Sequence, residues 1–395
     1  MALPLEGIRV LSFAQLGQGP AATQMLGDYG AEVIKVERPG VGAWERGTSG
    51  AGCFRDGENF FFLSLNRNKK SFTLNLKDKR AIEIIDQLIP TVDIVVENYR
   101  PGVMDRLDLG YDRLSGLNPR LVYARSTGYG SEGPYRDLPG QDLLVQGVSG
   151  LAAMGGKDGE LPVPASIPIL DMHAAALLAL GVCMALIQRG STGRGQLIET
   201  SLLEAAVHLQ AEPLFYFVNG WDITKRSKSG LASPYHPAPY GVYQSSDGSF
   251  VLSVVPLQTL ATVFAIPELS KIDQSEATQR RDEIKRLLDQ VTPTKSTAQW
   301  LDVCKKYDVW CAPVLTYHSL VEDPQFRYLD FLHTVLHPKV GEVHMIRSPL
   351  RLSGSPLSAL PNNAPPTLGQ NTDELLMEIG LDAADIRLLR HEGVV

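Results

Sequence analysis

The residues of this 395-residue chain whose types and spacing suit them for chemistry fall in a few places. Gly17-x-Gly19-x-x-Ala22 follows an apolar run and precedes a helix-compatible stretch, with Glu37 twenty residues after Gly17. The pattern admits two readings. In a dinucleotide fingerprint, amides near Gly19 face a pyrophosphate and Glu37 binds a ribose hydroxyl; in the other reading the glycines make a tight turn and nothing more. Asp171 stands between the extended run Ile167 to Leu170 and a long apolar stretch, where an aspartate can cap the helix that follows by accepting a free backbone N–H. His333 and His337 are four apart, but the β-branched HTVLHP context and Pro338 speak against a zinc-binding helix face. Cys53, Cys183, Cys304 and Cys311 lack CxxC spacing, which predicts free thiols in a reducing compartment and no metal site.

The elements that must position these residues are legible in outline. Ile8 to Phe13 reads as a strand, Gly17 to Pro20 as a loop, Ala21 to Tyr29 as a helix and Glu32 to Val36 as a second strand, together a βαβ unit. Ser71 to Leu76, Val92 to Val96 and Leu121 to Arg125 add buried strands, and Lys79 to Ile89 adds a helix. Alternation of this kind implies a parallel sheet covered on both faces. The longest apolar run, Ala174 to Ile187, has fourteen residues, too short to span a bilayer and suited to a buried core helix that closes over Gly193 to Ile198. A second apolar helix is expected from Leu202 to about Phe217.

Beyond it the composition changes. Asn219 to Pro239 is rich in Gly, Ser, Pro and basic residues; Tyr240 to Val255 reads as a hairpin turning at Asp247-Gly248; Ser296 to Gln299 is a capping box opening a helix to about Tyr307. Thr372 to Ile379 and Asp382 to His391 look like closing helices. The expected organisation is the N-terminal part of a large α/β domain over 1–218, a crossing linker over 219–239, a small α+β domain over 240–325, and a return linker with the rest of the large domain over 326–395.

Apolar residues are 44% and charged residues 21%, which suits a globular protein and excludes a disordered chain. The 37 basic and 44 acidic residues leave a net charge of −7, which argues against nucleic acid as a partner. The start, MALPLEGIRVLSF, has no basic n-region or long apolar h-region, so a cytoplasmic protein without membrane attachment is expected.

A longer set of motifs narrows the first-loop ambiguity: Gly7-Ile8-Arg9-Val10-Leu11, Gly19-Pro20-Ala21-Ala22, Leu26 through Gly40 (LGDYGAEVIKVERPG), Asn66 through Leu76 (NRNKKSFTLNL), and Val96 through Gly102 (VENYRPG). Gly128-Tyr129-Gly130-x-x-Gly133-Pro134, Gln141-Asp142, Thr192 through Gln196 (TGRGQ), Cys311 through Val314 (CAPV) and Pro365 through Gln370 (PPTLGQ) follow. In this order, over nearly the whole chain, they resemble the family III CoA-transferases, the CaiB/BaiF family that includes formyl-CoA transferases.

The resemblance implies a Rossmann-like parallel-sheet domain that binds coenzyme A as co-substrate, a smaller α+β domain and an interlocked homodimer, with no tightly bound cofactor and no metal. It implies Asp171 as nucleophile, forming aspartyl anhydride and aspartyl-CoA thioester intermediates as CoA passes from an acyl-CoA to a free, possibly di-, carboxylic acid. Asp142 matches an acidic position supporting those intermediates, with a structural hydrogen-bond acceptor as its other reading, and Gln15 and Gln18 stand where side chains meet substrate. Leu16, Arg38, Leu74, Asn98, Tyr99, Val103 and Arg106 match positions near CoA. An acidic protein that binds several phosphate charges needs local cations, and Arg38, Arg67, Lys69, Lys70, Arg100 and Arg106 are available.

α-Methylacyl-CoA racemases share this fold and use a histidine in a Gly-His-Asp string as one of two acid/base groups. Here the string is Gly140-Gln141-Asp142, and an amide exchanges no proton at neutral pH; His173, two residues from Asp171, is a weak substitute. Two departures from the transferases stand out: Gln15-Leu16-Gly17-Gln18 where some carry a histidine and a glutamine, and Ser233 through Tyr240 (SPYHPAPY) in place of the glycine-run loop. Oxalate specificity is therefore not expected, while Gln15, Gln18 and Arg46 offer a polar pocket for a second carboxylate.

Overall fold

The computed structural model describes residues 3–48 and 50–395. Their packing divides the chain into two units: Met1–Val145, Pro168–Ala205 and Leu329–Val395 form the first, Gln146–Ile167 and Ala206–Tyr328 the second.

The first unit is built on β1 (Arg9–Ser12), α1 (Gln18–Asp28), β2 (Glu32–Glu37), β3 (Lys69–Thr73), α2 (Lys79–Leu88), β4 (Ile94–Glu97), β5 (Val122–Thr127), α3 (Ile169–Thr192) and β6 (Leu197–Ser201). The six strands are all parallel, in the order β3-β2-β1-β4-β5-β6. Successive side chains on a strand point to opposite faces. Val10, Val33, Ile94 and Val122 therefore meet α1 and α3, whose facing residues Ala21, Ala22, Ala175 and Ala185 are small enough for close packing. Leu11, Ile34, Val95 and Tyr123 meet α2 on the other face, together with the C-terminal helices Thr372–Glu378 and Ala383–His391. Burial on both faces is why the centres of β1 and β4, Val10-Leu11 and Ile94-Val95-Val96, are apolar without alternation. Within α2, Ala81, Ile84, Ile85 and Leu88 make the inward stripe, and Asp78 caps the first turn by accepting the Arg80 N–H at 2.9 Å.

Three elements differ from the sequence expectation. α3 has 24 residues instead of fourteen, because Asp171, His173 and Gln188 sit inside it, and it is not wholly buried: Leu180, Met184 and Ile187 are exposed. By length and composition it could cross a membrane, yet its Ala175, Leu178, Val182 and Ala185 side packs on the sheet. Gly193, in the left-handed region at φ 72°, ends α3, and the residues read as a closing turn continue into β6. The apolar stretch after it is two helices, Leu202–Leu209 and Ala211–Val218, since Pro213 cannot donate to the Leu209 carbonyl and its ring crowds that oxygen.

A hairpin of Leu332–His337 with Gly341–Ile346 also stands where only a return linker was expected. Its Val335, Val343 and Met345 pack on Phe62 and Leu63. His333 and His337 lie on this strand, and no cluster of metal-ligating groups occurs among the described residues.

The second unit has a three-stranded antiparallel sheet of Gly241–Gln244, Ser249–Leu252 and Cys311–Pro313, the first two turning through Asp247-Gly248 as the sequence implied. Phe250, Phe264 and Trp300 stack in its core. The Ser296 capping box opens the helix Thr297–Lys306.

Candidate active site

In a doubly wound sheet the crossovers leave β1 and β4 in opposite senses, so a crevice opens beyond their C-terminal ends. Two loops meet there. The loop after β1 carries Gln15, Leu16 and Gly17, and the loop after β4 carries Asn98 and Tyr99. Asn98 joins them, its Oδ1 accepting the Gln15 N–H and its Nδ2 donating to the Gln15 carbonyl, each at 2.8 Å. Gln15 Nε2 donates to the Tyr99 hydroxyl at 2.9 Å.

Asp171 reaches this loop from the first turn of α3. A β-carbon on Gly17 would lie 2.5 Å from Asp171 Oδ2, so only glycine admits the carboxylate at that depth. A β-carbon on Gly19 would fall 2.4 Å from the Ala14 methyl. Both glycines thus serve contacts within the protein. The dinucleotide reading fails on Glu37 as well. Its Oε2 accepts from Ala43 N and Arg46 Nε, and its Oε1 accepts from Arg46 Nη2 and Ser71 Oγ, all within 3.0 Å and buried. No lone pair is left facing a ribose.

Asp171 does not cap α3 as its place in the sequence suggested. It is the third residue of the helix, and the cap comes from Asp142, whose Oδ2 accepts the N–H groups of Leu170 at 2.7 Å and Asp171 at 3.0 Å. Burial, with the Asp142 carboxylate second, pushes its carboxyl up to about 7.

Beside the same loop lies a cleft of about 700 Å³ lined by Gln15, Arg38, Leu74, Lys77, Tyr99, Val103, Leu107 and Arg390. Arg38 is exposed; its carbonyl accepts the Gly42 N–H at 2.8 Å, and its guanidinium has no hydrogen-bond or ion-pair partner among the described residues. Leu16 is half-exposed, at φ 63°. Arg106 is exposed and does not line this cleft; its Nη1 lies 3.2 Å from where a Gly102 β-carbon would be. Gln18 turns inward, its Oε1 accepting from Ser126 Oγ at 2.6 Å.

Half of the expected cationic patch is internal. Arg67 pairs with buried Asp28, Lys69 donates to the Pro20 and Leu65 carbonyls and to Asn66, and Lys70 pairs with Glu32 and Glu374. Arg46, expected to meet a second carboxylate, is held by Glu37 and the Pro366 carbonyl. Lys77 and Arg390 line the cleft without having been singled out. Arg390 comes from the closing helix, which the hydrophobic pattern did reveal, but nothing local tied it to Arg38.

A carboxyl whose folded value rises from 3.8 to about 7 favours the folded state while protonated, so its contribution is full below about pH 4 and is lost as pH climbs through 7. The stability of the wild type relative to Asp171→Asn should therefore fall between pH 4 and pH 7, as read from urea midpoints. A difference that stays constant over that window would contradict the assignment.

CoA-transferase family III matches residues 5–372 of the chain. The chain is 34% identical to succinyl-CoA:glutarate CoA-transferase of Mus musculus over 99% of this chain and 90% of that one. It is 31% identical to formyl-CoA:oxalate CoA-transferase of Streptomyces coelicolor over 100% of both. The fold matches that of a CaiB/BaiF family protein from Brucella suis with a TM-score of 0.82 at 28% identity, covering 96% of this chain and 100% of that chain. With its switch-point crevice, its half-buried aspartate and these matches along its length, the chain belongs to CoA-transferase family III.

Proposed function

We propose that the protein moves CoA from an acyl-CoA to a free carboxylic acid with Asp171 as the nucleophile. The observation that carries this reading is the placing of the Asp171 carboxylate against Gly17, on a loop whose neighbouring residue Gln15 lines the Arg38 cleft.

In the proposed sequence an Asp171 oxygen attacks the thioester carbonyl and the C–S bond breaks, leaving an aspartyl acyl anhydride and the CoA thiolate. The thiolate attacks the Asp171 carbonyl and releases the donor acid, so CoA is held as an aspartyl thioester. An incoming carboxylate repeats the exchange in reverse and restores Asp171. Each step trades one activated acyl bond for another. Attack requires the ionised carboxylate, so the pressure that burial and Asp142 place on Asp171 favours the steps in which its charge is lost to a neutral acyl link.

Arg38 and Lys77 supply cleft charge for the nucleotide phosphates, with Leu74 and Val103 as apolar wall. Arg106 remains a proposed contact from outside the described cleft. A dicarboxylic acceptor is supported by the relatives named for glutarate and oxalate; with Arg46 engaged by Glu37, it draws no support from that residue. The racemase reading is disfavoured because the Gln141 carboxamide does not titrate near neutral pH and so cannot act as an acid/base group. Exposed Met184 and Ile187 on α3, and separately Phe215, Phe217 and Val218 on Ala211–Val218, are apolar surfaces suited to a second copy of the chain.

Asp171→Asn and Asp171→Ser should abolish transfer while the fold and CoA binding survive. Hydroxylamine added during turnover should convert Asp171 to a hydroxamate, located by mass spectrometry in the peptide containing Leu170-Asp171-Met172; an unmodified peptide in a working enzyme would refute the mechanism. Arg38→Ala should weaken CoA binding by roughly tenfold to a hundredfold, the loss of charge-assisted hydrogen bonds, and calorimetry giving an unchanged Kd would remove Arg38 from the site. Light scattering should find one species at twice the 43.1 kDa chain mass across dilution, and a monomer at working concentration would end the dimer proposal.

A further inference from the structure

The loop that meets Asp171 is held from below by two buried charges. Lys35, on β2, and Glu45 are almost wholly inaccessible to solvent, and their Nζ and Oε1 are 2.8 Å apart. Each also grips the loop. Lys35 Nζ donates to the Ala14 carbonyl at 2.7 Å, and Glu45 Oε2 accepts the Leu16 N–H at 2.9 Å. Glu45 Oε1 has no aligned hydrogen bond of its own, so its contact with Lys35 is charge against charge, and the directed bonds of the pair both go to the loop. Lys69 is buried close enough to feel both charges, which leaves the Glu45 carboxylate between two cations.

Burial of an ion pair is weak evidence for stability, because desolvation offsets the attraction. Its value here lies in where the directed bonds go. Leu16 is one of few non-glycine residues with positive φ, at 63°, a conformation that persists only when the surroundings impose it. Its N–H is fixed by Glu45, the carbonyl of Ala14 by Lys35, and the peptide groups of Gln15 by Asn98. The next residue is Gly17, which abuts the Asp171 carboxylate.

We propose that the buried Lys35–Glu45 pair is a positioning device that holds Leu16 in its left-handed conformation and so sets the depth of Gly17 against Asp171, controlling how fast Asp171 is acylated. The inference rests on the transferase reading. Neither residue touches substrate. Slackening the loop should slow acylation while leaving CoA affinity, carried by the Arg38 side of the cleft, nearly unchanged.

The test compares Lys35→Met/Glu45→Gln, which removes both charges but keeps an acceptor for the Leu16 N–H, with Lys35→Met/Glu45→Leu, which removes the acceptor too. Single-turnover acylation of Asp171 by succinyl-CoA is followed by mass spectrometry, and CoA Kd by calorimetry. The Gln variant, which loses only the Lys35 hold on Ala14, should acylate roughly tenfold slower than the wild type, and the Leu variant should be slower on the order of 100-fold, with Kd held. Adding Leu16→Gly, which takes positive φ without steric cost, should restore part of the rate. Equal rates in the two double variants would overturn the proposal. If either variant does not fold, amide hydrogen exchange in the wild type decides: strong protection of Leu16 supports the clamp and free exchange refutes it. A wild type that acylates elsewhere than Asp171 would instead sink the transferase mechanism, with Leu16 protection still reporting on the clamp.

Discussion

The site depends on one topological constraint: the sheet reverses its winding between β1 and β4. Strand order β3-β2-β1-β4-β5-β6 sends the connections from these neighbours to opposite sides, so no crossover fills the space above them. A crevice without a lid of helix must be closed by loops, and loops carry unpaired backbone groups. The protein satisfies them with side chains from the crevice itself. Asn98 serves both groups of Gln15, Glu45 serves Leu16, and Asp142 serves the first turn of α3. The same bonds that satisfy the backbone fix the loop where Asp171 meets it.

Electrostatics follow from the same economy of space. In a chain of net charge −7, the clustered cations of the sequence read as the holders of an anionic ligand. Most of those near the sheet face inward. Lys35, Arg46, Arg67 and Lys69 are buried against Glu45, Glu37, Asp28 and backbone carbonyls. They hold β2, β3 and the intervening segment together, and in doing so leave Arg38 and Lys77 as the unpaired cations on the cleft wall. A local positive field in an acidic protein can be made by few charges when their neighbours are already neutralised.

Much of this was legible in the sequence and some was not, for physical reasons. Five strands of the large sheet could be read from their buried apolar residues, β3 only in its second half because it opens on Lys69-Lys70; β6 could not, since Leu197–Ser201 is only partly buried and its Glu199 and Thr200 break the run. The Leu332–His337 hairpin was missed because its buried positions alternate with exposed Leu332 and Leu336, masking the period of two. Around the site, motif order placed Asp171, Asp142 and the first loop in one neighbourhood. Which carboxylate capped α3 could not be read, because Asp142 lies 28 residues before Leu170 and reaches it only through the fold. The fate of Arg46 and Arg67 was hidden likewise: a basic residue looks the same in sequence whether its partner is phosphate or a buried carboxylate.

The division of roles between Asp142 and Asp171 explains how a carboxylate at a helix start can keep its oxygens free. An aspartate at the cap position spends its lone pairs on backbone N–H groups, which stabilises its charge and lowers its reactivity. Here Asp142 takes those bonds, and Asp171, one turn in, keeps its oxygens for the Gly17 side. Deprived of donors, buried and next to a second carboxylate, Asp171 is raised to about 7. A carboxylate with a value that high holds its electron pair less tightly in place than one near 4, and it is ionised in a large fraction of molecules at neutral pH. In the proposed mechanism, acylation removes the charge that burial and Asp142 oppose. The cap, the glycine and the buried loop clamp are three parts of one arrangement that keeps a carboxylate close, poorly solvated and unspent.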